Sequence, residues 1–164
     1  MAAESEPKWE GKAIVELPGK EAESAWSAIQ DFCNLHKWIP LDTCYYVEGI
    51  QGQPGLIRYC ASTVKDPESQ TPTIKWAKEK LLTIDPIQHS LSYEVGENNM
   101  GFNSYVGTFQ VLPLNGDPKL GCKIEWGFLC DPVEGWTFQA LNSYIENALQ
   151  FMANKIHLAC SLPA

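Results

Sequence analysis

Residues 55–85, GLIRYCASTVKDPESQTPTIKWAKEKLLTID, contain two segments in which apolar and polar residues alternate with a period of two. In residues 55–63 the only arginine of the chain, Arg58, falls on the more apolar face. In residues 73–85 Glu79 does the same, while lysines occupy the opposite face. This period is typical of β-strands. The stretch therefore predicts two strands joined by one loop, with Arg58 and Glu79 directed toward the core.

Five further segments show the strand period, and they are separated by clusters of Gly, Pro and Asn that favour turns. They cover residues 9–17, 43–49, 89–97, 104–113 and 121–131. The connections between the strands from residue 43 onward are short, which favours an antiparallel meander. Residues 20–38 differ, because their apolar positions recur every three or four residues. They predict two short helices that end before Pro40.

The last segment, residues 137–160, contains no Gly or Pro and carries a continuous helical stripe of apolar residues. At about 1.5 Å per residue it predicts a helix roughly 36 Å long, enough to lie across a whole sheet. The order of elements predicts an α+β fold, in which a seven-stranded curved antiparallel sheet wraps around the long C-terminal helix. Residues 1–8 are expected to form a flexible arm and residues 9–164 a single domain.

Composition and charge exclude several classes of protein. The net charge of −8 argues against nucleic acid and anionic membranes as partners. The polar, acidic start is not expected to act as a signal peptide, and no apolar run reaches the roughly 20 residues of a membrane span. Six scattered cysteines indicate free thiols in a reducing, cytoplasmic compartment. Neither metal-ligand spacing nor a nucleotide-binding motif is present, so no metal or cofactor is expected, and nothing specifies an oligomeric state.

Arg58 and Glu79 are the candidate catalytic residues. If both are buried, they must pair with each other or with an anionic ligand, since an unpaired charge in an apolar site is costly. Together they could bind an acidic oxygen and transfer a proton. The alternative is an exposed cross-strand ion pair without chemical function.

The inward faces of the later strands carry aromatic residues that would line a pocket. They are Tyr93, Tyr105, Phe109 and Trp126. An apolar surface with a few convergent polar groups is typical of a small-molecule site. Plain core packing is the alternative for these aromatic residues.

Several motifs resemble those of the plant lachrymatory-factor synthase family over nearly the whole chain. The most specific are Asp31-Phe-x-Asn-Leu-His-Lys37 and Trp76-Ala-Lys-Glu-Lys-Leu81, and Trp9-x-Gly-Lys and Glu134-Gly135 accompany them. The family belongs to the polyketide-cyclase and lipid-transport superfamily. The resemblance therefore implies the helix-grip, START-like fold of the major birch-pollen allergen, in which the long last helix closes an internal apolar cavity.

The resemblance also implies roles for particular residues. The arginine and glutamate that rearrange an alkenyl sulfenic acid to a thial S-oxide fall on Arg58 and Glu79. The cavity tyrosines of the family fall on Tyr93 and Tyr105, and one cavity tryptophan falls on Trp126. The pocket wall differs in two places. Another cavity tryptophan, on the last helix, is replaced by Ala148, and Trp38 and Ile39 stand where the synthase has smaller or more flexible apolar residues.

These observations lead to two hypotheses for function. The first is an isomerase or cyclase that transfers protons through Arg58 and Glu79 on a small amphipathic substrate, without a cofactor. The second is a non-catalytic protein that binds or transports a hydrophobic plant metabolite, lipid or hormone. In both, the partner is a small hydrophobic or amphipathic ligand held in the cavity. The two differ in whether Glu79 is needed for turnover or only for affinity.

Overall fold

The computed structural model describes residues 7–65 and 67–161, so most of the predicted N-terminal arm lies outside the described residues. Seven strands and two α-helices follow in the predicted order. The strands are β1 (Trp9–Pro18), β2 (Thr43–Glu48), β3 (Ile57–Lys65), β4 (Pro72–Asp85), β5 (Ser90–Asn98), β6 (Val106–Pro113) and β7 (Gly121–Cys130). The helices are α1 (Ala22–Gln30) and α2 (Phe138–Ser161), with short 3-10 helices at Phe32–Lys37 and Leu114–Gly116.

All seven strands form one antiparallel sheet in the order β1-β7-β6-β5-β4-β3-β2. Consecutive strands from β2 to β7 are neighbours, and β1 pairs with β7 because the helical segment after β1 carries the chain to the far edge of the sheet. Register shifts interrupt the β2–β3 and β4–β5 pairs, one of them between Ala77 and Glu79. Such bulges bend a strand and increase its twist. They curve the sheet where the cavity lies.

The long helix lies against the concave face of the sheet. Its apolar stripe consists of Leu141, Ile145, Leu149, Met152 and Ile156, none of which is more than 2% exposed. The inward residues of β7 are equally buried. This arrangement confirms the predicted α+β fold, a curved sheet around a long C-terminal helix with short helices after the first strand.

Three strands begin later than predicted, and the backbone explains each difference. Gly55, His89 and Ser104 have positive φ angles of 97°, 55° and 52°. A residue in this region of φ cannot continue an extended strand. The strands therefore start at Ile57, Ser90 and Val106.

Two other features of the described residues bear on the sequence predictions. In this part of the chain no helix combines the length and the hydropathy that a membrane span requires. Five cysteines, Cys33, Cys44, Cys60, Cys122 and Cys130, are free and buried. The side chain of Cys160 lies outside the described residues.

Candidate functional site

The sheet and the inner face of α2 enclose a cavity of about 670 Å³. Its walls come mainly from β3, β4, β5, β7, α2 and the segment after α1, and most of the lining side chains are apolar or aromatic. Val64, Lys75 and Phe151 line one end and are exposed, so the cavity reaches the surface between the β3–β4 pair and α2. This volume falls in the range of small-molecule pockets.

An ion pair lies on the sheet wall of this cavity. Arg58 on β3 and Glu79 on β4 are directly opposite in the antiparallel register. Both Nε and Nη2 of Arg58 donate to the same carboxylate oxygen, Oε1 of Glu79, at 2.8 and 2.6 Å. The side chain of Arg58 is 3% exposed and that of Glu79 is 16% exposed. The pair therefore lies at the boundary between the packed sheet and the cavity.

The helical segment after α1 holds the other side of the guanidinium. Nη1 of Arg58 donates to the backbone carbonyl of Phe32 at 2.8 Å, and the guanidinium carbon lies 3.8 Å from the centre of the Phe32 ring. The Tyr93 ring is 5.2 Å away. Burial disfavours the charged guanidinium, but the negative charge of Glu79 and its neighbours outweighs this effect and raises the pKa of Arg58. Arg58 is therefore a fixed positive charge.

Two tyrosines and a tryptophan form the aromatic part of the wall. The indole Nε1 of Trp126 donates a hydrogen bond of 3.0 Å to Oη of Tyr93. The rings of Tyr93 and Tyr105 lie 6.4 Å apart. Burial raises the pKa of both phenols, so both remain protonated at neutral pH. The Tyr93 hydroxyl thus accepts from Trp126 and also interacts with the Tyr105 hydroxyl.

Six of the eight residues that the sequence singled out line the cavity: Arg58, Glu79, Tyr93, Tyr105, Trp126 and Ala148. Phe109 does not line the cavity, in contrast to its predicted position. It is 3% exposed and stacks against Trp126 at 4.6 Å, so it supports the wall from behind. Trp38 is also not a lining residue. It caps the end of the 3-10 helix and is half-buried against the core, whereas the next residue, Ile39, lines the cavity.

Several lining residues were missed by reasoning from strands alone. Phe102 and Trp136 lie in loops, and Tyr144 lies on α2. Large apolar side chains in loops are the only sequence signal for the first two. The Phe32 carbonyl that binds Arg58 has no sequence signal, because every residue carries a backbone oxygen.

Cys60 is a further lining residue, and its sulfur lies near the sulfur of another cysteine and near a carboxylate oxygen. Its Sγ lies 3.4 Å from Sγ of Cys44 and 3.9 Å from Oε1 of Glu79. No group of three or more His, Cys, Asp or Glu side chains within residues 7–65 and 67–161 is arranged to hold a metal ion. The histidines His36, His89 and His157 therefore do not take part in a metal-binding cluster in the described part of the chain.

Solved structures of other proteins share this fold. A protein from Thermobifida fusca is 19% identical with a TM-score of 0.70, over 90% of this chain and 92% of that chain. An uncharacterised protein from Bacillus thuringiensis is 16% identical with a TM-score of 0.66, over 90% and 98%. The major latex-like protein 151 of Panax ginseng is 20% identical with a TM-score of 0.66, over 94% and 99%. At these identities the likeness concerns the fold. Residues 15–157 match the family described as polyketide cyclase / dehydrase and lipid transport, and the chain belongs to this family.

Proposed function

We propose that the protein is an isomerase or cyclase of the lachrymatory-factor synthase type, in which Arg58 binds an acidic or carbonyl oxygen of a small amphipathic substrate and Glu79 transfers a proton. The observation that carries the proposal is the position of the pair. A fully buried arginine and a carboxylate that is 16% exposed lie together on the wall of an otherwise apolar cavity. Buried charged groups on the wall of an apolar pocket are typical of functional sites.

The hydrogen bonds of Glu79 leave one of its oxygens available. Within the described part of the chain, the polar contacts of Glu79 all fall on Oε1, which accepts from Arg58 and lies 3.9 Å from Sγ of Cys60. Oε2 is therefore the oxygen that can take a proton from a ligand. A carboxylate held by a fixed cation cannot rotate away, which keeps this oxygen in position between turnovers.

The charge of Arg58 gives the ligand oxygen a place to bind. Arginine presents a planar fork of donors, and the low-dielectric surroundings strengthen its attraction to a developing oxyanion. The neutral phenols of Tyr93 and Tyr105 add hydrogen-bond donors without adding charge. For an alkenyl sulfenic acid, Glu79 would remove the O–H proton and return a proton to the alkene carbon that is not bonded to sulfur. The product is a thial S-oxide, with all atoms conserved.

The size of the cavity bears on the choice of substrate. A sulfenic acid with three carbons occupies only part of about 670 Å³, and pockets of this volume commonly hold drug-sized ligands. Ala148 contributes to this space, because its side chain is much smaller than the tryptophan that the resemblance to the lachrymatory-factor synthase family implies at this position. A larger plant metabolite with one acidic or carbonyl oxygen is therefore a second substrate class for the same pair.

A non-catalytic binder or carrier is the alternative function, and one observation favours it. Arg58 is already satisfied without a ligand, because Glu79 and the Phe32 carbonyl occupy three of its nitrogens. A pair of this kind can also be purely structural, because its hydrogen bonds join β3, β4 and the helical segment after α1. The family itself includes lipid transport.

The test combines turnover and binding in the same variants. Freshly generated alkenyl sulfenic acid is added to the wild type, Glu79→Gln, Arg58→Leu and Lys80→Gln, and thial S-oxide is measured by mass spectrometry. Lys80 is the control, because it is the neighbour of Glu79 on the outer face of β4 and pairs with Glu94 at 3.5 Å. Product from the wild type and Lys80→Gln, but from neither site variant, supports the proposal.

Other outcomes contradict it. Undiminished turnover by a folded Glu79→Gln variant excludes Glu79 as the proton-transfer group. If the folded wild type gives no product, ligands extracted with the protein from plant tissue are identified and tested for conversion. Binding of such a ligand without conversion, at equal affinity in wild type and Lys80→Gln, establishes the carrier function instead.

A further inference from the structure

Two cysteines lie side by side next to the cavity, Cys60 in its wall and Cys44 behind Cys60, and neither belongs to the proposed acid–base pair. Cys44 on β2 and Cys60 on β3 are directly opposite in the antiparallel register. Their sulfur atoms are 3.4 Å apart, and Cys60 donates to Cys44. Both residues are buried, with exposures of 5% and 7%.

The backbone already has the spacing that a disulfide requires. Residues directly opposite on antiparallel strands have Cα atoms about 4.5–5.5 Å apart, and disulfides join Cα atoms that are about 4.4–6.8 Å apart. The sulfur atoms must approach from 3.4 Å to a bond length of about 2.0 Å, which rotation of the two side chains can supply. Closing this bond therefore needs no movement of β2 against β3.

The two thiols differ in access. Cys60 lines the cavity, whereas Cys44 lies behind it and is not a lining residue. The cavity reaches the surface at the end where Val64 and Phe151 are exposed. A small molecule that enters the cavity thus meets Cys60 first and can reach Cys44 only through it.

The two cysteines differ in the direction in which their pKa values are shifted. The hydrogen bond from Cys60 lowers the pKa of Cys44, against the effect of burial and with help from the positive charge of Arg58. The same hydrogen bond and burial raise the pKa of Cys60. Cys44 is thus the better thiolate of the pair, and its sulfur accepts the hydrogen bond from Cys60.

From this geometry we infer that Cys44 and Cys60 are a redox-active dithiol, which a small organic disulfide entering the cavity oxidises to an intrachain disulfide. Cys44 first gives its own proton to solvent and becomes a thiolate. As Cys60 then attacks one sulfur of the small disulfide, which forms a mixed disulfide and releases one thiolate, the Cys60 proton moves along the hydrogen bond to Cys44. That thiolate takes the proton from Cys44. Cys44 then attacks Sγ of Cys60, and the second thiolate leaves and takes a proton from solvent, which balances the proton that Cys44 gave up at the start. Two cysteine thiols are oxidised and one small disulfide is reduced to two thiols.

The other described cysteines provide an internal comparison. Burial raises the pKa of Cys33 and of Cys130, as it does that of Cys60, but no hydrogen bond joins either of them to a second thiol among the described residues. Cys122 donates to the backbone carbonyl of Glu21 at 3.8 Å, far along the sheet from β2. None of these three lines the cavity. Selective oxidation of the Cys44–Cys60 pair therefore depends on the folded protein.

Tryptic peptides separate the relevant thiols, so the pairing can be determined directly. Cleavage after Lys37, Arg58 and Lys65 places Cys44 in residues 38–58 and Cys60 in residues 59–65, and Cys33 falls in residues 21–37. Fully reduced protein is incubated with bis(2-hydroxyethyl) disulfide at neutral pH, and the remaining thiols are alkylated. The peptides are then identified by mass spectrometry with and without a reductant.

We expect a disulfide that links residues 38–58 to residues 59–65, formed at least tenfold faster than any modification of Cys122 or Cys130. In Cys44→Ser the reaction should stop at a mercaptoethanol mixed disulfide on residues 59–65. In Cys60→Ser the Cys44 peptide should stay unmodified over the same time, and Cys130→Ser should behave as the wild type. In urea this selectivity should be lost.

Three results would overturn the inference. One is a stable mixed disulfide on Cys60 in the wild type, without the linked peptide. The second is a link between residues 21–37 and 38–58, which would assign the pairing to Cys33. The third is equal reactivity of Cys60 and Cys130. All three results can be read from the wild-type experiment, so the inference remains testable even if a serine variant does not fold. The outcome does not depend on the proposed function.

Discussion

Gly107 on β6 lies directly opposite Tyr93 on β5, and a Cβ atom at position 107 would overlap the Tyr93 ring. The absence of a side chain at this position lets the phenol lie flat over β6. There its oxygen accepts the hydrogen bond from Trp126. The glycine thus positions a hydroxyl of the cavity wall without contacting the cavity itself.

Gly107→Ala should therefore destabilise the protein by about 1–3 kcal/mol, the usual cost of overpacking a core. Gly96→Ala is the matched control on the neighbouring strand, because its nearest atom to a new Cβ is 3.6 Å away. Its effect should stay within about 0.5 kcal/mol. Urea unfolding at neutral pH measures both free energies of unfolding. An equal cost in the two variants would show that the Tyr93 ring moves aside freely.

The Arg58–Glu79 pair should also contribute to stability, whatever its chemical role. Glu79→Gln leaves a buried guanidinium without its counter-charge, and removing one partner of a buried pair costs roughly 2–4 kcal/mol when the remaining partner is as enclosed as Arg58. Lys80→Gln breaks only the exposed pair with Glu94 and should cost no more than about 1 kcal/mol. Urea unfolding compares the two. A double-mutant cycle with Arg58→Met isolates the coupling, and a value near zero would contradict a tight pair.

Much of this site can be predicted from the alternation of apolar and polar residues along the strands. The period of two places Arg58 and Glu79 on the same faces as Leu56 and Leu81, and the burial of these leucines shows that both faces turn inward. The long helix follows from 24 residues without Gly or Pro, and the order of the elements follows from the turns between them. These features are local, so the sequence alone predicts them.

Other parts depend on how the elements meet in space. Phe109 shares the inward face with Trp126, yet ring stacking and curvature put Trp126 in front and Phe109 behind. Trp38 and Ile39 are adjacent, and the end of the 3-10 helix decides which of them reaches the cavity. The Phe32 carbonyl and the loop residues follow no period. None of these relations is encoded in spacing along the chain.

High pH should destabilise the protein through its buried phenols. Burial raises the pKa of Tyr93 and Tyr105 in the folded state, whereas an unfolded tyrosine ionises near pH 10. Above that pH the unfolded chain binds fewer protons than the folded one, so the free energy of unfolding falls as pH rises, by about 1.4 kcal/mol per pH unit for each buried phenol.

Tyr105→Phe should remove one of these two contributions while it keeps the ring contacts with Phe102 and Phe128. Its free energy of unfolding should therefore fall less than that of the wild type, by about 1 kcal/mol between pH 10 and 11, because an unfolded tyrosine is only half ionised at pH 10. Lysine deprotonation is common to both proteins and cancels in the difference. Urea unfolding at several pH values gives the slopes. Parallel slopes would mean that the Tyr105 hydroxyl ionises in the folded protein.

The last prediction concerns the size of the cavity. Ala148 lies on the inner face of α2 and lines the cavity, so Ala148→Phe should fill space that a long ligand occupies. Each buried methylene contributes about 0.8 kcal/mol. Exclusion of two methylenes from the cavity should therefore weaken binding about fifteenfold.

Calorimetric titration with a series of primary alkyl alcohols of increasing length should show this loss for the longest members and little change for the shortest. Ala140→Phe, on the exposed face at the start of α2, should bind the whole series as the wild type does. A uniform loss of affinity for all lengths in Ala148→Phe would indicate that the substitution disturbs the fold of α2, and unchanged affinity for all lengths would place the alkyl chains outside this cavity.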